Sequence, residues 1–109
     1  MSSIADVGDQ EFEHSVLQGS RSQPVLVFFW APWLRSARAL GKVLDDLAIM
    51  YAGRLQIFRV DIDDNGRLME IYGIDAAPAL ALFKGGEKVC DWTGETRRDV
   101  LESALSGYL

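Results

Sequence analysis

Val25-Leu26-Val27-Phe28-Phe29-Trp30-Ala31-Pro32-Trp33-Leu34-Arg35-Ser36-Ala37-Arg38 is the stretch that decides the fold. Its first six residues are apolar without alternation. A strand built this way is covered on both faces, which predicts a central parallel strand. Pro32 then pre-sets a helix start. From Trp33 to Tyr51 apolar residues fall at 37, 40, 43, 44, 47 and 51. That spacing makes one stripe of a long amphipathic helix, with Gly53 as its closing residue.

Leu55 to Ile62 reads as the next strand, and strand, helix and strand together make a right-handed βαβ unit. Asp64 or Asn65 caps a short helix that runs to Tyr72 and stops at Gly73. Ala79-Leu80-Ala81-Leu82-Phe83 is a second strand apolar on both faces. Lys84-Gly85-Gly86-Glu87 is a hairpin signal, and Lys88 to Thr93 is the returning strand. Thr96-Arg97-Arg98-Asp99 resembles a capping box, with Asp in place of Glu or Gln. Val100, Leu101, Ala104, Leu105 and Tyr108 stripe the last helix. Upstream, Ile4 to Val7 is a short strand, and Asp9 caps a short helix with Phe12 and Val16 on one face. The expected architecture is α/β: a mixed sheet of four to five strands flanked by about four helices.

The chain has 109 residues, which predicts a single domain over residues 1–109. Eleven Lys and Arg against 16 Asp and Glu give a net charge of −5. Phosphate neutralisation needs clustered cations, so no nucleic-acid partner is expected. One cysteine excludes an internal disulfide and a Cys-based zinc site. No metal and no cofactor is expected. The N-terminus lacks the basic and apolar regions of a secretory leader. The longest apolar stretch, Val25 to Leu34, is half the ~20 residues of a membrane helix. A cytoplasmic protein without a membrane partner is expected.

Several junctions carry a further signal: Phe29-Trp30-Ala31-Pro32-Trp33, Val60-Asp61-Ile62-Asp63, Tyr72-Gly73-Ile74 leading to Pro78, Leu82-Phe83-Lys84-Gly85-Gly86-Glu87, and Gly94. Their order over nearly the whole chain resembles the thioredoxin family. The resemblance implies a thioredoxin-like fold in which Pro78 follows a cis peptide bond and faces the redox motif. It also implies that backbone beside that proline, here Ala77, pairs with an extended substrate peptide.

The departures from the family are as specific as the matches. The family follows the tryptophan matching Trp33 with Cys-Gly-Pro-Cys. Here Leu34 and Ala37 occupy the two cysteine positions. Phe28 stands where the family buries an aspartate that moves protons to and from the inner thiol. Lys42 stands where the family has a helix-kinking proline. Thiol–disulfide exchange needs a thiolate and a resolving thiol, so dithiol chemistry is not expected. Without thiols a buried acid has no task, and Phe28 is cheaper to bury.

Trp33, Leu34, Ala77, Pro78 and Thr93 are therefore expected to gather as an exposed peptide-binding surface. Arg35 and Arg38 flank a helix N-terminus, where donors and guanidinium groups favour an anion or acidic partner. The expected role is a redox-inactive module that binds another protein or an extended peptide, chaperone-like or in assembly. Cysteine-less members of the superfamily are similar in this. One alternative is a thioredoxin-type disulfide oxidoreductase using Cys90 or a partner's cysteine. Another is a structural subunit of a larger complex. Cys90 otherwise reads as a small hydrophobe at a sheet edge. Ser36 lacks a base, since the single histidine, His14, lies in the first helix. Asp61-Ile62-Asp63-Asp64-Asn65-Gly66 fits half a calcium loop, but Tyr72 stands at position 12.

Overall fold

The computed structural model describes residues 4–94 and 97–109. Among them β1 is Ala5–Asp6, β2 Val25–Trp30, β3 Gln56–Asp61, β4 Ala79–Lys84 and β5 Glu87–Thr93. They form one sheet in the order β1-β3-β2-β4-β5. The apolar run is the middle strand. β3 runs parallel to it and β4 antiparallel. An unbroken apolar run reports cover on both faces, and the sheet is mixed as the sequence predicts, with one parallel and one antiparallel neighbour to β2.

The helices are α1 at Asp9–Phe12, α2 at Arg35–Met50, α3 at Gly66–Ile71 and α4 at Arg98–Ser106. Alternate strand residues supply two cores. Leu26, Phe28, Ile57, Leu80 and Leu82 pack with Leu40, Leu44 and Leu47 of α2 and Leu101 and Leu105 of α4. Val25, Val27, Phe29, Val60, Ala81 and Phe83 pack with Phe12, Val16 and Leu68 on the other side. Helices thus cover both faces of the sheet. Among the described residues no helix is long and apolar enough to cross a membrane.

Several boundaries differ from expectation, each for a local reason. Gly8, not Asp9, is the cap of α1. Its N–H donates to the Glu11 carboxylate at 3.1 Å, so the acid one turn on does the satisfying. After one turn the chain widens into a π-helical segment, Glu13–Gln18, then tightens to 3₁₀ at Gly19–Arg21. α2 starts at Arg35 rather than at Pro32, because Pro32 and Trp33 lie in a turn closed by the Leu34 N–H on the Ala31 carbonyl at 3.1 Å. α2 then runs unbroken through Lys42. Gly53, with φ 84, lies in the turn beyond the helix end at Met50. Val100 is half exposed: the buried stripe is Leu101 and Leu105, and Val100 lies about 100° round the helix from Leu101. Thr96 of the expected capping box lies outside the described residues; Arg97 caps α4.

The β4–β5 hairpin turns through Gly85 and Gly86, both left-handed at φ 68 and 89, as the tight hairpin turn requires. Buried Ser20 holds this turn to the π-helical segment. Its Oγ donates to the Leu17 carbonyl at 2.8 Å and accepts from the Gly86 N–H at 2.9 Å. Its carbonyl accepts from the Gly85 N–H at 2.9 Å. Ser20→Ala leaves the Gly86 donor unsatisfied. The expected loss is about 1–2 kcal/mol, read as a lower urea midpoint at unchanged slope.

Candidate functional site

The site lies at one end of the sheet. β2 and β3 are parallel and end together at Trp30 and Asp61. β4 begins there, with Ala79 opposite Phe29. β5 ends there, with Thr93 opposite Ala79. Carboxyl ends of parallel strands are where open α/β sheets present their clefts.

Trp33 is the most exposed aromatic at this end, at 63%. Its indole Nε1–H donates to Asp63 Oδ2 at 2.8 Å. Asp63 sits in the turn after β3, where its own N–H donates to Asp61 Oδ1 at 2.9 Å. Asn65 Nδ2 donates to the Asp61 carbonyl at 2.9 Å. The acids of the half calcium loop thus shape this turn and anchor Trp33. Among the described residues no group of three or more His, Cys, Asp or Glu side chains is placed to hold a metal.

The other expected site residues separate by burial. Leu34 is half-buried against the core that underlies α2. Ala37 is fully buried in it. Thr93 is exposed and Ala77 half-buried. The Ala77–Pro78 peptide is cis. Pro78 itself is buried, and its carbonyl accepts from the Gly94 N–H at 2.8 Å. The expected exposed Trp–Leu–Pro patch is corrected accordingly. Pro78 shapes the backbone from beneath, and Leu34 offers only part of its side chain. Among the described residues no hydrogen bond engages the Ala77 backbone. Trp33 is tethered on the β3 side of β2, whereas Ala77 and Thr93 lie on the β4 side. The pieces flank the end of β2 without direct hydrogen bonds between them.

Arg35 and Arg38 are exposed and carry no ion pair with a described residue. The first turn of α2 contains no acid, and no side chain caps it. Cations there oppose the helix dipole.

Phe28 is buried at 2% exposure, its ring 6.4 Å from that of Trp30. Arg59 lies over the Trp30 ring at 4.5 Å and donates to Asp6 at 2.6 Å. That ion pair raises the Arg59 pKa. The Trp30 indole N–H is buried with no acceptor among the described residues. Neither the Trp33–Asp63 bond nor the Asp6–Arg59–Trp30 stack was legible in the sequence. Their partners lie too far apart in the chain for local pattern to reveal.

Cys90 is half-buried on edge strand β5, opposite Leu82 and packed with Tyr108. Burial pushes its pKa up; a hydrogen bond with Tyr108 pulls the other way, and Asp91 adds to the rise. Thr93 is the third residue further along the strand, roughly 10 Å away. Cys90 is therefore remote from the field at the start of α2 that lowers a thiol pKa. His14 is exposed in the π-helical segment, with no placement beside Ser36.

Comparison with known proteins gives a consistent result. The thioredoxin family model matches residues 3–107. Thioredoxin 1 of Nostoc sp. is 38% identical over 109 residues, covering 100% of both chains. Thioredoxin of Synechocystis sp. is 36% identical over 109 residues, again covering 100% of both. The chloroplastic thioredoxin M4 of Arabidopsis thaliana is 33% identical over 106 residues, covering 97% of this chain and 54% of that one.

Phe28→Asp tests the apolar replacement at the centre of this region. Arg59, its register neighbour on β3, is already held by Asp6. The expected loss is about 3 kcal/mol or more from lost packing and a desolvated carboxyl. Burial raises that carboxyl's folded-state pKa. The charge-dependent part of the loss is therefore full at neutral pH and shrinks as pH falls toward about 4. Melting at pH 7 and pH 4 checks both the size and the sign.

Proposed function

The chain belongs to the thioredoxin family, and we propose that within it the protein is a redox-inactive binding module. It docks an extended or partly unfolded segment of another protein at the sheet end carrying Trp33, Leu34, Ala77, Pro78 and Thr93. Arg35 and Arg38 select acidic neighbours. The reading places it in the cytoplasm and gives it no cofactor, nucleic acid or membrane partner. One observation carries it: the two positions where a thiol pair would act hold Leu34 and buried Ala37. Neither side chain can form a mixed disulfide. What remains there is an anchored, exposed indole, with an Ala77 backbone and two cations that no hydrogen bond or ion pair engages among the described residues. Main-chain pairing with apolar contacts beside it is how an extended peptide is held.

The relatives favour a second reading, a disulfide oxidoreductase, because they bear the name thioredoxin. In this chain that chemistry falls to Cys90, with a second thiol supplied by a partner to resolve the mixed disulfide. Its half-burial and raised pKa count against it. A structural subunit would use a surface other than the sheet end.

Two measurements separate these readings. An amide NMR titration with a permanently unfolded, acidic protein should shift Trp33, Leu34, Ala77 and Thr93. Trp33→Ala with Arg35→Gln should weaken binding about tenfold, a contact loss near 1.4 kcal/mol. Added salt should weaken it too. Shifts confined to α4, to β1 or to the Gly85–Gly86 hairpin end would reject the docking surface. In an insulin-reduction assay with dithiothreitol, wild type should match Cys90→Ala. Activity above that control would move the oxidoreductase reading ahead.

A further inference from the structure

We propose that a cavity between β2, β3 and the middle of α2 binds a small organic anion, a compact apolar body carrying one carboxylate. The cavity holds about 200 Å³. Drug-sized sites span ~300–1,000 Å³, so this one takes a molecule of fragment size. It is distinct from the peptide surface, sharing only Arg38 with it.

The inner wall is aromatic, formed by the rings of Phe28 and Trp30. On the helix side Gly41 leaves the wall open: a Cβ there would come to 3.7 Å from the Phe28 ring. A glycine in a helix interior costs about 1 kcal/mol relative to alanine, and here its effect is space beside an aromatic ring.

The rim is basic. Arg38 and Lys42 of α2 and Arg59 of β3 line it, against one acid, Asp45. Arg59 is committed to Asp6 and to the Trp30 face. Arg38 and Lys42 are exposed and have no ion pair with a described residue. They stand at i, i+4 on one helix face, a spacing at which like charges repel. Residues 35–44 carry three cations and no acid in a chain of net charge −5. An anion seated between Arg38 and Lys42 relieves that repulsion, while its apolar body covers the rings. Phe28, Ala37 and Lys42, three of the positions where this chain departs from the family pattern, all line this one cavity.

The test is an amide NMR titration of the full chain with phenylacetate, and with phenylacetamide as its uncharged twin. Phenylacetate should produce saturable shifts at Phe28, Gly41 and the Trp30 indole N–H. Lys42→Glu, an exposed substitution that leaves the core intact, should weaken binding several-fold, consistent with an exposed charge pair. Gly41→Leu should fill the cavity and abolish the shifts. Arg35→Gln, which weakens the peptide dock, should leave them unchanged, so the two readings fail separately. Equal binding of phenylacetamide, indifference to Lys42→Glu, or no saturable shift at about 10 mM would overturn the proposal, the last placing any affinity weaker than the millimolar range.

Discussion

Everything in this fold depends on β2 having to be covered on both faces. Val25, Val27 and Phe29 point one way and Leu26 and Phe28 the other, and all are buried. No single helical layer satisfies such a strand. The chain answers with α2 and α4 on one side and the α1, π-helical and α3 elements on the other. Burial of this kind is worth roughly 25 cal/mol per Å² of apolar surface, so the central strand organises the molecule. The register of β4 then matters through side-chain size, because a slip of one residue would exchange Leu80 and Leu82 on the α2 face for Ala79 and Ala81.

The same strand sets the chemistry at its end. Chain leaving Trp30 must turn sharply to start α2, and the turn presents Trp33 outward while Asp63, from the parallel neighbour, fixes its indole. In a thioredoxin-type fold this is where reactive sulfur belongs. Here the side chains beneath are uniformly apolar: Phe28, Leu34 and Ala37 belong to or pack on one hydrophobic cluster. A buried acid would weaken that cluster unless a proton-transfer task justified it. The three positions form one consistent apolar set on that cluster.

The sequence was most legible where pattern is local. The apolar run of β2, the stripe of α2 and the paired glycines of the hairpin each encode their structure within a few residues. The start of α2 was less so, because Pro32 fits either a helix start or the turn before it, and the Ala31–Leu34 hydrogen bond selects the turn. The burial of Pro78 was not legible at all. It follows from the residue just beyond β5, Gly94, whose N–H donates to the proline carbonyl. The anchoring of Trp33 by Asp63 joins residues thirty apart, and only the parallel pairing of β2 with β3 brings them together. The widening at Glu13–Gln18 had no sequence signal that pattern reading detects.

The two lateral rims of the sheet have a consequence for behaviour at high concentration. β1 is only Ala5–Asp6, and β5 carries Glu87, Lys88 and Asp91 along its length. A short strand and a charged one are how sheets avoid recruiting strands from other molecules. The most adhesive segment of the chain, β2, sits farthest from either rim. A destabilised variant that frees β5 would expose β4, apolar on both faces, and would convert a self-limiting sheet into one that polymerises side by side.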